Sequence, residues 1–117
     1  MVIKLGKLNL FWKSKDNKTF NLGMLNYENS MYTFIINRQE LKGAITNGCY
    51  GIGNFDLKRI EYKKNELFDF FENRLPSEFE INSIIEMYKI DKNDKMKILE
   101  LTKGKKFKDN YWLEKAE

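Results

Sequence analysis

The sequence predicts an α+β fold: a small antiparallel β-sheet, built from an N-terminal meander and covered by C-terminal helices. Three observations predict it. Through the first 36 residues apolar side chains recur at every second position, the period of a strand. The second half carries them at the spacing of helices instead. Clusters of Asn, Asp, Ser and Gly punctuate both halves, and the chain has a single proline. With 117 residues and no internal repeat, low-complexity run or linker, it reads as one domain over 1–117.

The elements follow in order. Leu8, Leu10 and Trp12 alternate with Asn9, Phe11 and Lys13 and predict a first strand. Ser14-Lys15-Asp16-Asn17-Lys18 is a polar turn. Phe20, Leu22, Met24 and Asn26 share one face of a second strand, and Gly23 within it marks a bulge or a close approach of backbone. After the Glu28-Asn29-Ser30 turn, Met31 to Ile36 form a third strand. Tyr32, Phe34 and Ile36 take one face of it, and Met31, Thr33 and Ile35 the other. Both faces are largely apolar, which predicts a strand covered on both sides. Asn37 is placed to cap a helix, with Glu40 three residues on as in a capping box. Leu41, Ala44 and Ile45 form its apolar stripe, and Gly48 closes it in the left-handed conformation. Cys49 to Asp56 is a glycine-containing loop, and Leu57, Ile60 and Tyr62 point to a short edge strand.

The rest is helical. Leu67, Phe68, Phe70, Phe71 and Leu75 crowd a segment that Pro76 stops. Ile81, Ile84, Ile85 and Tyr88 fall at i, i+3, i+4 and i+7, an amphipathic helix with Glu78 and Glu80 at its positive end. Asp91 or Asn93 caps a further helix with Met96, Leu99 and Leu101 inward and Gly104 at its close. Asn110 to Leu113 return as a final strand. Phe70, Phe71, Ile84, Ile85 and Leu99 are the expected core beneath the sheet.

Composition removes most catalytic machinery. There is no histidine and one cysteine, Cys49. That excludes the Ser-His-Asp and Cys-His arrangements, imidazole-ligated metals, thiolate zinc and iron–sulfur sites, and an internal disulfide. No glycine cluster matches a phosphate-binding fingerprint. Asp56, Glu61 and Lys63 resemble the acidic pair and lysine of a magnesium-dependent nuclease, but Glu-x-Lys arises by chance in a chain this rich in both. The expectation is a protein that is not an enzyme and holds no cofactor and no metal. The start has no signal-peptide core, and no apolar run approaches the roughly 18 residues of a membrane span. A cytoplasmic, non-membrane location is expected.

Two sets of residues are candidates for binding. Lys103, Lys105, Lys106 and Lys108 flank Gly104 and Phe107, where ammonium groups and backbone amides would converge on an anion such as a nucleic-acid phosphate. A second basic run is Lys58, Arg59, Lys63 and Lys64. The net charge of +4 fits such a partner, although a Lys-rich composition bias is the stronger explanation of it. Trp112 and Tyr111, on a polar C-terminal segment, are the candidates for a protein partner: Trp112 is the aromatic least explained by core periodicity, and an accessible Trp is a strong protein-binding anchor.

The order of elements resembles the N-terminal subdomain of the HipA toxin kinases. Gly23-Met24-Leu25 and Tyr32-Thr33-Phe34 stand where that family has a Gly-x-Leu second strand and an aromatic third strand. Phe70-Phe71-Glu72-Asn73-Arg74-Leu75-Pro76 matches its Phe-Phe helix ending in Leu-Pro. Ile90-Asp91, Asp94, Leu99, Gly104 and Asp109-Asn110 match the following helix, glycine turn and last strand. Ser77-Glu78 departs from the family's Glu-Gly after Leu-Pro. The Leu67 to Pro76 wording is also similar to a segment that precedes HIRAN domains in bacterial proteins. With no kinase segment after it, the resemblance implies a free-standing subdomain like HipS, an antitoxin that docks on a kinase-like toxin and inhibits it. Protein binding of that kind is the leading expectation. Nucleic-acid binding as in HIRAN-type proteins, and inhibition of a host defence nuclease by a mobile-element protein, are the alternatives.

Overall fold

The computed structural model describes residues 6–56, 58–106 and 109–116. Leu57, Phe107 and Lys108 lie outside the described residues. The fold is α+β. Five strands, β1 (Gly6–Lys13), β2 (Thr19–Glu28), β3 (Met31–Ile36), β4 (Glu61–Lys64) and β5 (Tyr111–Lys115), form one antiparallel sheet in the order β4-β3-β2-β1-β5. Four helices accompany it: α1 (Arg38–Thr46), α2 (Asp69–Glu72), α3 (Glu78–Tyr88) and α4 (Lys95–Thr102). The meander predicted from the first 36 residues is the centre of the sheet, and β4 and β5 extend it on either side.

The alternation in β1 places Leu8, Leu10 and Trp12 in the core as expected. In β2 the expected face changes halfway. Phe11 pairs with Asn21 but Leu10 pairs with Gly23, so Leu22 is an extra residue, a β-bulge. The bulge resets the two-residue period. Phe20 and Leu22 pack with the core, and beyond the bulge it is Leu25 that is buried, opposite Leu8 and Phe34. Met24 pairs instead with Asn9 and Ile35 on the far face, with Asn26 beside Lys7 and Thr33. Gly23 is required by close approach. A Cβ there would collide with the carbonyl oxygen of Ile35 and touch the Phe34 ring at 3.0 Å.

β3 buries Tyr32, Phe34 and Ile36. Its other face is not covered: Met31 is 38% and Ile35 37% exposed. Apolar composition on both faces therefore marks an open apolar surface here, not a second layer. Asn37 caps α1, its Oδ1 accepting from the Glu40 amide at 3.2 Å. The Glu40 carboxylate does not complete a capping box; it accepts from the Asn21 amide beside the bulge. Leu41 and Ala44 are buried while Ile45 faces solvent, and Gly48 closes the helix with φ of 106°.

α4 is capped by Asp94, whose Oδ1 accepts from the Lys97 amide, and not by Asp91 or Asn93. Asp91 and Asn93 form the turn before it, the Asn93 amide donating to Asp91. Starting the helix there sends Met96, Ile98 and Leu99 inward and leaves Leu101 half-buried. Phe71 and Leu99 are wholly buried, and Phe70 packs at the edge of the core. Ile84 and Ile85 are not in the core: α3 contains no buried residue.

Tyr32 illustrates how the core responds to pH. Burial pushes its phenol up from 10.0 to about 12, with the neighbouring Tyr27 adding to the shift. The rings of the two tyrosines lie 4.4 Å apart. A raised folded-state value means that the native state holds the proton more tightly than the unfolded chain. The stabilisation is complete below pH about 10 and is lost as pH climbs toward 12. Tyr32→Phe, which cannot ionise, should therefore move the midpoint of alkaline unfolding, followed by circular dichroism, to higher pH. An unchanged or lower midpoint would contradict this.

Candidate docking helix and aromatic cleft

The structure separates the residues singled out from the sequence. On β5, Trp112 and Tyr111 point to opposite faces of the sheet. Trp112 pairs with Phe11 across the open face, stacks on it with centroids 5.5 Å apart, and donates from Nε1 to Glu114 at 2.8 Å. It is part-exposed and belongs to a surface that continues through Met24 and Ile35. Tyr111 faces inward and is not offered to a partner alongside Trp112. Its hydroxyl donates to the Gly51 carbonyl and lies 3.4 Å from the Cys49 sulfur. Burial, then the Cys49 contact, raises its pKa above the ordinary phenol range. The one cysteine is thus buried and committed to pinning the 49–53 loop to β5.

At Gly104, the amide that would face an anion donates instead to Thr102 Oγ1, and the carbonyl accepts from Arg74. Lys103 ends α4 in the left-handed conformation, and its carbonyl accepts from Leu113. Lys103, Lys105 and Lys106 are exposed. The middle run is divided by strand alternation: Lys63 pairs opposite Thr33 on the open face, and Lys64 lies on the other side with Tyr32. Asp56 and Glu61 assemble no carboxylate cluster; among the described residues no group of three potential metal ligands exists.

Two features were not read from the sequence. The first is the exposed apolar surface of α3. Ser77 caps it, accepting from the Glu80 amide and donating to the Glu80 carboxylate, so the helix start is well defined. Of its predicted stripe, Ile81, Ile84 and Ile85 are only half-buried and Tyr88 is exposed. Phe79 is 81%, Met87 72% and Tyr88 52% exposed. The helix carries Glu78, Glu80 and Glu86 and no basic residue. The signal was present: Phe79 and Met87 lie off the isoleucine stripe, so the helix is apolar over more of its surface than one buried face requires.

The second is Arg74, one of three arginines in a chain whose other cations are lysines. It is buried between the rings of Phe70 and Tyr111, its Cζ 4.8 and 4.9 Å from their centroids. Nη2 pairs with Asp109 at 2.6 Å, and Nη1 donates to the Gly104 carbonyl at 2.8 Å. A planar fork suits this combination where lysine would not. Nε is buried and has no acceptor among the described residues. Arg74 also lines a cleft of about 410 Å³ between the 53–55 loop, β4, α2 and the segment around Lys106 and Asp109.

The chain matches no family model and no curated protein. Among the described residues, no helix is long and apolar enough to cross a membrane.

Proposed function

We propose that this chain is a non-catalytic protein-docking module of the cytoplasm, a HipS-like antitoxin or inhibitor that acts by occupying a surface of a kinase-like partner. The observation that carries the reading is α3: a capped, regular helix that keeps Phe79, Met87 and Tyr88 in solvent. Large apolar side chains grouped on one exposed element are what protein interfaces bury. With three glutamates and no cation, α3 fits an apolar groove with a basic rim. The open sheet face, with the Phe11–Trp112 stack, Met24 and Ile35, is a second apolar surface and keeps Trp112 as an anchor. The lack of histidine and the buried, committed Cys49 also favour binding over chemistry.

The test is co-purification and titration with a HipA-type kinase lacking its own N-terminal subdomain. Phe79→Ala and Met87→Ala should each weaken the complex by about 2 kcal/mol, roughly thirtyfold, while circular dichroism stays unchanged. Lys105→Glu with Lys106→Glu should leave affinity within a few-fold at physiological salt. The nucleic-acid alternative makes the opposite forecast. A surface engaging four lysines loses roughly two decades of affinity between about 50 and 200 mM salt, because neutralised phosphates release counterions. Salt-sensitive DNA or RNA binding that the double Glu variant removes, with no effect of the α3 variants, would replace the docking reading.

A further inference from the structure

We propose that the cleft beside Arg74 is a small-ligand site for a flat aromatic group that carries an anion. Its volume of about 410 Å³ falls within the roughly 300–1,000 Å³ typical of small-molecule sites. The sequence brings four separate segments to it, and their chemistry divides in two. Phe55, Tyr62 and Phe70 contribute aromatic surface. Phe55 and Tyr62 meet edge to face at 4.8 Å, and Phe70 is held against both Arg74 and Tyr111. These rings are fixed by their neighbours and present a preformed apolar wall, on which a planar group stacks at little cost in side-chain order.

The polar part is cationic in excess. Lys64 and Lys106 both line the cleft, are exposed, and make no ion pair among the described residues. Of the acids lining it, Asp109 is committed to Arg74, which leaves Asp69 as the single uncommitted carboxylate. Two exposed ammonium groups, unpaired among the described residues, against one uncommitted carboxylate favour an anion in the cleft. Arg74 also lines the cleft, but its buried guanidinium is held by Asp109 and the Gly104 carbonyl, so the partners for a ligand anion are the two exposed lysines. The site rests on the cleft alone and does not depend on α3 or on the docking reading.

Phenyl phosphate and 3-phenylpropionate are the probes, titrated into the isotope-labelled protein and followed by amide NMR. Benzyl alcohol is the neutral control. The expected result is saturable shifts at Asn54, Phe55, Tyr62 and Asn73 with at least one anionic probe, at a dissociation constant of about 1 mM, as befits so small a ligand. The two probes distinguish phosphate from carboxylate as the preferred anion. Lys64→Gln with Lys106→Gln, both exposed positions, should weaken binding about tenfold and leave the spectrum of the free protein otherwise intact. Absence of saturable shifts up to about 10 mM of both probes, equal binding of benzyl alcohol, or unchanged affinity in the double Gln variant would each overturn the proposal.

Discussion

Phe71→Ala will lower the free energy of unfolding by about 3–5 kcal/mol, a large part of the stability of any domain this size. α2 is four residues long, too short to be helical by propensity. It is held by what Phe71 touches. The ring is fully buried and meets Phe34 nearly edge-on at 5.1 Å, Phe70 at 5.2 Å, and Phe55 at 6.4 Å. Removing it forfeits the transfer energy of the side chain and leaves a cavity between β3 and α2 that neighbouring rings cannot fill. Each lost edge-to-face pair adds about 0.5–1.5 kcal/mol. Urea unfolding followed by fluorescence should show a lower midpoint at an unchanged slope. A loss under about 1 kcal/mol would mean that α2 is not seated on the core as described.

Asp109→Ala is the second large effect, about 3 kcal/mol. The substitution leaves the Arg74 guanidinium buried between two aromatic rings with, among the described residues, only the Gly104 carbonyl as acceptor. An uncompensated buried cation is far costlier than the loss of a surface ion pair, which is worth under about 1 kcal/mol. The carboxylate is partly exposed, so water relieves some of the penalty and the effect falls at the low end for such pairs. Two further results separate burial from surface electrostatics. The destabilisation should be nearly the same at low and high salt, because a buried pair is little screened. Arg74→Met combined with Asp109→Ala should recover part of the loss, since an apolar side chain leaves no stranded charge. Recovery stays partial because the Gly104 carbonyl loses its donor. A double variant no better than Asp109→Ala alone would reject the account.

These examples show where the sequence is informative and where it is silent. The alternation of Leu8, Leu10 and Trp12 and the caps at Asn37 and Gly48 are local, and local patterns carried through to the structure. A bulge breaks such a pattern without announcing its phase: Gly23 signalled an irregularity, but nothing local says that Leu22 is the inserted residue. The cap of α4 moved to Asp94 because three acceptors lie within four residues and only the packing of Met96 and Leu99 chooses among them. The isoleucine stripe of α3 reads the same whether it is filled by the chain's own core or left half open. Arg74 meets Asp109 35 positions away, a contact that no local signal encodes. The candidate site was therefore less legible than the sheet. Trp112 was located on a surface, while the docking helix and the cleft depend on which faces the tertiary structure leaves uncovered.

The edge of β1 is closed by the last strand of the fold, with Leu10 opposite Leu113 and Phe11 opposite Trp112. Almost a hundred residues separate the two strands along the chain. Translation proceeds at about 5–20 residues per second, so β1 waits roughly 5–20 s on the ribosome before its second neighbour exists. During that interval β1 presents a row of unpaired amides and carbonyls beside Leu8, Leu10 and Trp12, a ready template for strands of other nascent chains. Lys7 and Lys13 at its two ends, both exposed, discourage such pairing by charge until β5 arrives.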